Sequence, residues 1–288
     1  MANWKLGISI EAPSKELFEE MAKKGACMEL CIEPHDLVTM DWKKLKEWID
    51  ESGVELWSFH LPFGPLDIAD PDEYTHQYAV ALQAEYIKRS GELGAKIAVI
   101  HPSFEPIPPE ERAEWMTTAK ASLVQLAEIA EAWGVTLAVE DLPRTCLGNC
   151  SADMLELLSA DPRLRVCFDT NHLLDERNVD FVRALGDRII TLHVSDYDFR
   201  NERHWMPGEG KVDWVELVTA LEEAGYDGPF LYEVGFEAVR TIHRRDMTVA
   251  DYQDNHRACL EKRPLPVLGT PNREVCDERA YYDVPKVH

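Results

Sequence analysis

A chain of 288 residues with 30 Lys and Arg against 53 Asp and Glu carries a formal net charge of −23. That length suits one large α/β domain that buries its own core without staples. So acidic a surface repels phosphate backbones, and the densest basic cluster, "RTIHRRD" at 240–246, is short, so nucleic acid is excluded as a partner.

Short β-rich runs alternate with longer charged, amphipathic ones. "KLGISI" (5–10) reads as the first strand, and a helix follows from Ser14 to a stop at Gly25. "CMELCIE" (27–33) is the second, and its helix starts on Asp41 and stops at Gly53. "ELWSFHLP" (55–62) leads to a helix over 71–94, with Pro71 near its start and Gly94 at its end. "KIAVIHP" (96–102) precedes a helix from about Glu110 to Gly134. "TLAVEDLP" (136–143), "RVCFDTN" (165–171) and "IITLHVSDY" (189–197) continue the series; "VDWVELVTALEEAG" (212–225) is helical and "PFLYEVG" (229–235) is the last strand. The caps and terminal glycines sit where helix ends need them.

Eight units of about 36 residues predict a (β/α)8 TIM barrel over 1–262. A doubly wound sheet is the alternative, but no G-x-G-x-x-G follows the first strand. Residues 263–288, with four prolines and no clear period, read as an extended arm packed on the barrel or on a neighbouring subunit, in keeping with a homo-oligomer. No apolar run approaches the roughly 20 residues a bilayer demands, so no membrane partner is expected. The start lacks the layout of a signal peptide, and seven scattered cysteines suit a reducing cytosol, so the expected location is cytoplasmic. Cys146 and Cys150 have zinc-like spacing but no second ligand pair beside them.

In such a barrel the C-terminal strand ends build the active site. His60, His101, Glu140, Asp169, His193 and Glu233 stand at or near the ends of strands three to eight; His172 follows Asp169 by one turn, and "NERHWMPGEG" adds Glu202 and His204. One strand-end histidine alone is ordinarily a hydrogen-bonded structural residue. Three carboxylates converging near one axis are another matter, because burying them costs several kcal/mol unless cations compensate. The oxygen and nitrogen donor set suits Mn²⁺, Mg²⁺, Co²⁺ or Zn²⁺. Gly208 and Gly210 fit either a tight turn or a phosphate cradle. Glu29, within strand two, reads as a barrel-interior residue and not a ligand.

The order of "MELCIE", "SFHLP", "LGAKIAVIHP", "LAVEDLPR", "CFDTNH", "LHVSDYD", "HWMPGEGKVDW" and "YEVG" resembles the xylose isomerase-like TIM-barrel superfamily of sugar isomerases, ketose 3-epimerases and AP endonucleases. The resemblance implies one divalent ion on Glu140, Asp169, His193 and Glu233, with Glu140 and Glu233 as the acid/base pair in a metal-dependent sugar or sugar-phosphate isomerase or epimerase. Proton transfer would pass through a metal-bound cis-enediolate. The AP endonuclease side of the resemblance implies up to three ions, adding His60, His101, His172, Glu202 and His204 as further ligands or substrate contacts. Arg203, Trp205 and Phe104 are the expected substrate-binding residues; Phe63 and Tyr197 are further aromatics suited to a sugar ring. A multinuclear zinc phosphoester hydrolase and a keto-sugar lyase or dehydratase stay open as other reactions.

Overall fold

The computed structural model describes residues 2–64 and 67–276. Eight strands form one sheet: β1 (Leu6–Ile10), β2 (Cys27–Cys31), β3 (Glu55–His60), β4 (Ile97–Ile100), β5 (Thr136–Glu140), β6 (Arg165–Asp169), β7 (Ile189–His193) and β8 (Phe230–Tyr232). Their order is β7-β6-β5-β4-β3-β2-β1-β8, and every paired neighbour is parallel. The sheet closes on itself through one parallel bridge, Val194 to Tyr232, in which the Val194 N–H donates to Leu231 O at 2.8 Å and the Glu233 N–H to Val194 O at 3.1 Å. This is the expected (β/α)8 barrel.

The helices are α1 (Lys15–Lys23), α2 (Asp36–Thr39), α3 (Trp42–Ser52), α4 (Glu73–Leu93), α5 (Arg112–Ala132), α6 (Ser151–Leu158), α7 (Asn178–Leu185), α8 (Trp214–Glu223), α9 (Val249–Leu260) and α10 (Arg273–Cys276). Ser14, Asp41, Asp72 and Asp213 cap the starts of α1, α3, α4 and α8, each accepting a backbone N–H three residues on. Gly53 and Gly94 end α3 and α4 in the left-handed conformation. α6, α7 and α9 complete units that show no clear start and stop signals in the sequence; α9 opens on a capping box of Thr248 and Asp251.

Strand alternation divides the molecule into two interiors. Ala98, Ile100, Leu137, Val139, Val166, Phe168 and Leu192 face the helices and join the main core. Ile97, Val99, Ala138 and Cys167 form a separate small cluster inside the barrel, with Trp57 and Ile190 against it. On the same inward face, further along each strand, come His101, Glu140, Asp169 and His193. An apolar plug therefore underlies a polar rim.

The expected strands overrun the observed ones mainly at their C-terminal ends: β5 stops at Glu140, β6 at Asp169 and β7 at His193. Beyond them the ladder runs on for one residue, as from Thr170 N to His193 O at 3.0 Å, and side chains take over, the Asp141 carboxylate accepting the Asp169 N–H at 2.7 Å and Thr170 Oγ1 accepting from Ser195 N at 3.0 Å.

The described part of the expected arm packs on the chain's own barrel. β9 (Ile242–His243) and β10 (Thr270–Pro271) form an antiparallel pair, and Cys276 packs with Trp205 and Ile242. Residues 277–288 lie outside the described residues. All seven cysteines are free, and no helix among the described residues is long and apolar enough to cross a membrane.

Candidate active site

Glu140 is the hub of the C-terminal rim. It is fully buried; its Oε2 lies 3.1 Å from both His60 Nε2 and His101 Nε2, and its Oε1 lies 3.0 Å from His193 Nδ1. His60 Nδ1 lies 2.8 Å from the Leu61 carbonyl, which can only accept, so Nδ1 carries a hydrogen and Nε2 faces Glu140. His193 is held from behind: its Nε2 is 3.0 Å from Glu29 Oε1, and Glu29 also accepts from Ser9 and Ser58 hydroxyls. Glu29 thus sits inside the barrel as expected, behind a rim histidine. Carboxylate support of that kind fixes which nitrogen a ligand histidine presents.

Of the four expected ligands, Glu140, His193 and Glu233 offer ligand atoms within 4.8 Å of one another, and His60 completes that group. Asp169 gathers instead with Glu140 and His172 at the same spacing, so Glu140 belongs to both. A third grouping joins His172, Glu202 and His204. His172 Nδ1 donates to Asp141 O at 2.7 Å, and His204 Nδ1 lies 3.2 Å from Glu233 O. In both rings Nε2 is left as the free nitrogen; that of His172 lies 3.4 Å from Asp169 Oδ2.

The electrostatics set buried carboxylates against histidines, of which the carboxylates in turn push up His60 and His193. Burial would raise the Glu140 carboxyl, yet His193 and His101 hold it well below the usual range. Glu233, half-buried and facing His193 and His204, is brought down to about 2 although desolvation acts the other way. Asp169 goes the other way, pushed well up by burial and by its neighbours Glu233 and Glu140. Asp169 Oδ2 and Glu233 Oε2 are buried and have no hydrogen-bond partner among the described residues. Two orphaned carboxylate oxygens beside a histidine and a third carboxylate fit a hard divalent ion.

Above this centre lies a cavity of about 200 Å³, lined by Phe63, Phe104, Arg144, His101, His172 and Glu202 among others. Phe63 stacks on His101 with centroids 4.7 Å apart. Phe104 is therefore where a substrate residue was expected, but Arg203 and Trp205 are not. The Arg203 guanidinium is buried behind the rim, 2.8 Å from Asp198 Oδ2, and the Trp205 indole donates to Thr241 Oγ1 at 3.0 Å within a small apolar cluster. Tyr197 is likewise fully buried, its hydroxyl turned to the Leu173 carbonyl at 2.5 Å. The arginine on the cavity wall is Arg144, which closes the expected phrase "LAVEDLPR". Its place just past a strand end is the signal that could have found it.

The glycine-rich turn resolves as a turn. A larger groove of about 610 Å³ runs past Gly208 and Gly210, with Lys211, Lys262 and Arg263 on its wall, but the turn's own donors Gly208 N and Val212 N are spent on the protein's Asp196. That carboxylate accepts from Gly208 N at 2.8 Å, Val212 N at 3.1 Å, Tyr197 N at 2.8 Å and the Trp214 indole at 2.9 Å. A Cβ at Gly210 would lie 2.2 Å from Asp196 Oδ1, so the close approach demands glycine.

Comparison with known proteins bears on the fold and the family. A family model described as xylose isomerase-like TIM barrel matches residues 18–254. A D-psicose 3-epimerase of Ruminiclostridium cellulolyticum is 25% identical over 237 residues, 77% of this chain and 78% of that protein. An uncharacterised protein of Methanocaldococcus jannaschii is 28% identical over 208 residues, 69% of this chain and 71% of its own. Among solved structures, a D-tagatose 3-epimerase-like protein superposes with a TM-score of 0.74 at 26% identity, covering 90% of this chain and 97% of that one.

Proposed function

The chain belongs to the xylose isomerase-like TIM-barrel family, and on that premise we propose that it is a divalent-metal-dependent isomerase or epimerase of a small unphosphorylated sugar. The observation that carries this reading is the pair of orphaned, buried carboxylate oxygens on Asp169 and Glu233, whose residues each group with Glu140, Glu233 alongside His193 and Asp169 alongside His172. Sugar epimerases among its relatives support the reaction class.

Glu140, Asp169, His193 and Glu233 would hold the ion, whose Lewis acidity toward a carbonyl and an adjacent hydroxyl lowers the cost of removing the carbon-bound proton beside them. Glu140 and Glu233 then share the proton work: one takes it from carbon, and the other returns one to the opposite face or to the neighbouring carbon. Both carboxyls are held ionised in the resting centre, so neither carries a proton that would block the accepting step. His172, with Nε2 free, would orient substrate hydroxyls, and Phe63 and Phe104 would flank the sugar and exclude water. Against a phosphorylated substrate stands a glycine turn whose backbone donors Gly208 N and Val212 N are already given to Asp196.

The test is proton exchange. Chelator-stripped protein, reloaded in turn with Mn²⁺, Co²⁺, Mg²⁺ or Zn²⁺, is incubated with unphosphorylated ketoses in D₂O and followed by NMR. Deuterium entering the carbon beside the carbonyl, with formation of the epimer or aldose and only in reloaded protein, is the expected result. No exchange under any of these ions would overturn the reading. The grouping of His172, Glu202 and His204 favours a second reading, a multinuclear zinc phosphoester hydrolase. Zinc-dependent release of phosphate from a simple phosphomonoester, without exchange, would select it.

A further inference from the structure

His172, Glu202 and His204 have ligand atoms within 4.8 Å of one another, which by itself invites a second ion. A neighbour outside that grouping changes its balance. Arg144 Nη2 lies 3.0 Å from Glu202 Oε1, nearer than His172 Nε2 at 3.9 Å from the same oxygen. The same guanidinium grips Glu105 through Nε at 2.7 and 3.0 Å from its two oxygens, and donates to Asn201 Oδ1 at 2.7 Å. It therefore ties together the loops after β4, β5 and β7, and the fork geometry leaves little freedom to swing away.

The backbone beneath it is also set for this placement. Arg144 has φ of +54°, a conformation that L side chains adopt at a cost, and the Asn149 side-chain amide donates to its carbonyl at 2.6 Å. A glycine would sit there without strain, yet the chain carries an arginine.

We propose that the Arg144 guanidinium takes the place of a second metal ion at this rim, neutralising Glu202 so that His172, Glu202 and His204 stay free of metal and the protein carries a single ion. The inference rests on the reading of an ion at Glu140, Asp169, His193 and Glu233. An ion entering the second grouping would have to share Glu202 with a fixed positive charge, and the repulsion between the two cations keeps it out. Arg144 is thus a positioning residue that separates the one-ion chemistry of a sugar epimerase from the multi-ion chemistry of a hydrolase.

The experiment counts ions in full-length protein. Apo protein is titrated with Co²⁺, followed by visible absorbance, and the saturated protein is passed through a desalting column for elemental analysis. Wild type is expected to hold one ion per chain and Arg144→Gly two; Gly fits the left-handed backbone, so this variant removes the guanidinium without adding strain. Arg144→Lys, which keeps the charge, is expected to hold one. Combining Arg144→Gly with His204→Asn should return the count to one. Two or more ions in wild type, a count of one in well-folded Arg144→Gly, or two in Arg144→Lys would each overturn the proposal. A wild type that binds none overturns the proposed function itself, and this inference with it.

Discussion

At the N-terminal end of the barrel Trp4 lies parallel to Phe230 with centroids 6.2 Å apart, its indole donates to Tyr226 O at 2.7 Å, and the Tyr226 hydroxyl donates to Pro229 O at 2.7 Å. The histidine packed there, His256, stays neutral; burial brings it down to about 4, and its Nε2 pairs with Trp4 O at 3.1 Å. At the C-terminal end, Glu140, Asp169 and His193 are fully buried, and two of their carboxylate neighbourhoods contain oxygens with no partner. Both ends close the same barrel with the same strands. The first shows what the fold needs: aromatic packing, with these buried polar atoms each answered by a backbone carbonyl, and charges such as Lys5, Glu55 and Lys96 paired at the exposed edge. The second carries far more charge than closure requires, and that surplus marks chemistry.

The sharpest way to break this contrast is at Glu140. Glu140→Gln should lower turnover by about a thousandfold or more, with the fold retained at a reduced melting temperature, because His60, His101 and His193 lose their buried counter-charge. Steady-state kinetics beside thermal unfolding checks it, and full activity would erase the functional meaning of the rim. Trp4→Ala should do the reverse. It opens a cavity at the other end and costs about 3–5 kcal/mol of stability by denaturant titration, while kcat/KM per folded molecule stays unchanged.

A smaller effect comes from pH. The folded state keeps His256 neutral down to about 4, whereas the unfolded chain protonates it near 6.5. Between those values the unfolded state binds more protons, so stability rises with pH across the window and is lost as pH falls from 6.5 toward 4, by up to about 3 kcal/mol. His256→Gln, which still offers a donor to Trp4 O, should flatten that slope in denaturant titrations at pH 7 and pH 4.5. An unchanged slope would mean that the N-terminal end tolerates charge as the other rim does.

Much of this was legible in the sequence, for a physical reason. Apolar runs ending in His60, Glu140, Asp169 and His193 report both a strand and its rim, because strand period and strand end share the same few residues. The helices α6, α7 and α9 were harder, since α6 and α7 lack side-chain caps and α9 has a weakly amphipathic pattern. At the site, identity was readable but partnership was not. Arg203 and Arg144 are both rim arginines one loop from a ligand; only three-dimensional packing gives Arg203 to Asp198 and Arg144 to Glu105 and Glu202. The role of Glu29 behind His193 was hidden for the same reason, because it depends on two strands, β2 and β7, that are not adjacent in the sheet. Asp196, which fills the glycine turn, is a residue that sequence reasoning passed over.

The single bridge that closes the barrel lies between the strands that deliver His193 and Glu233. Elsewhere a ladder of paired residues dictates how far apart neighbouring strand ends stand. Here the joint resembles a laced seam with one eyelet, tied by the Val194 N–H to Leu231 O and the Glu233 N–H to Val194 O. The proposed ion, reached by His193 from one side of that seam and by Glu233 from the other, would add a second tie where the sheet itself supplies one bridge.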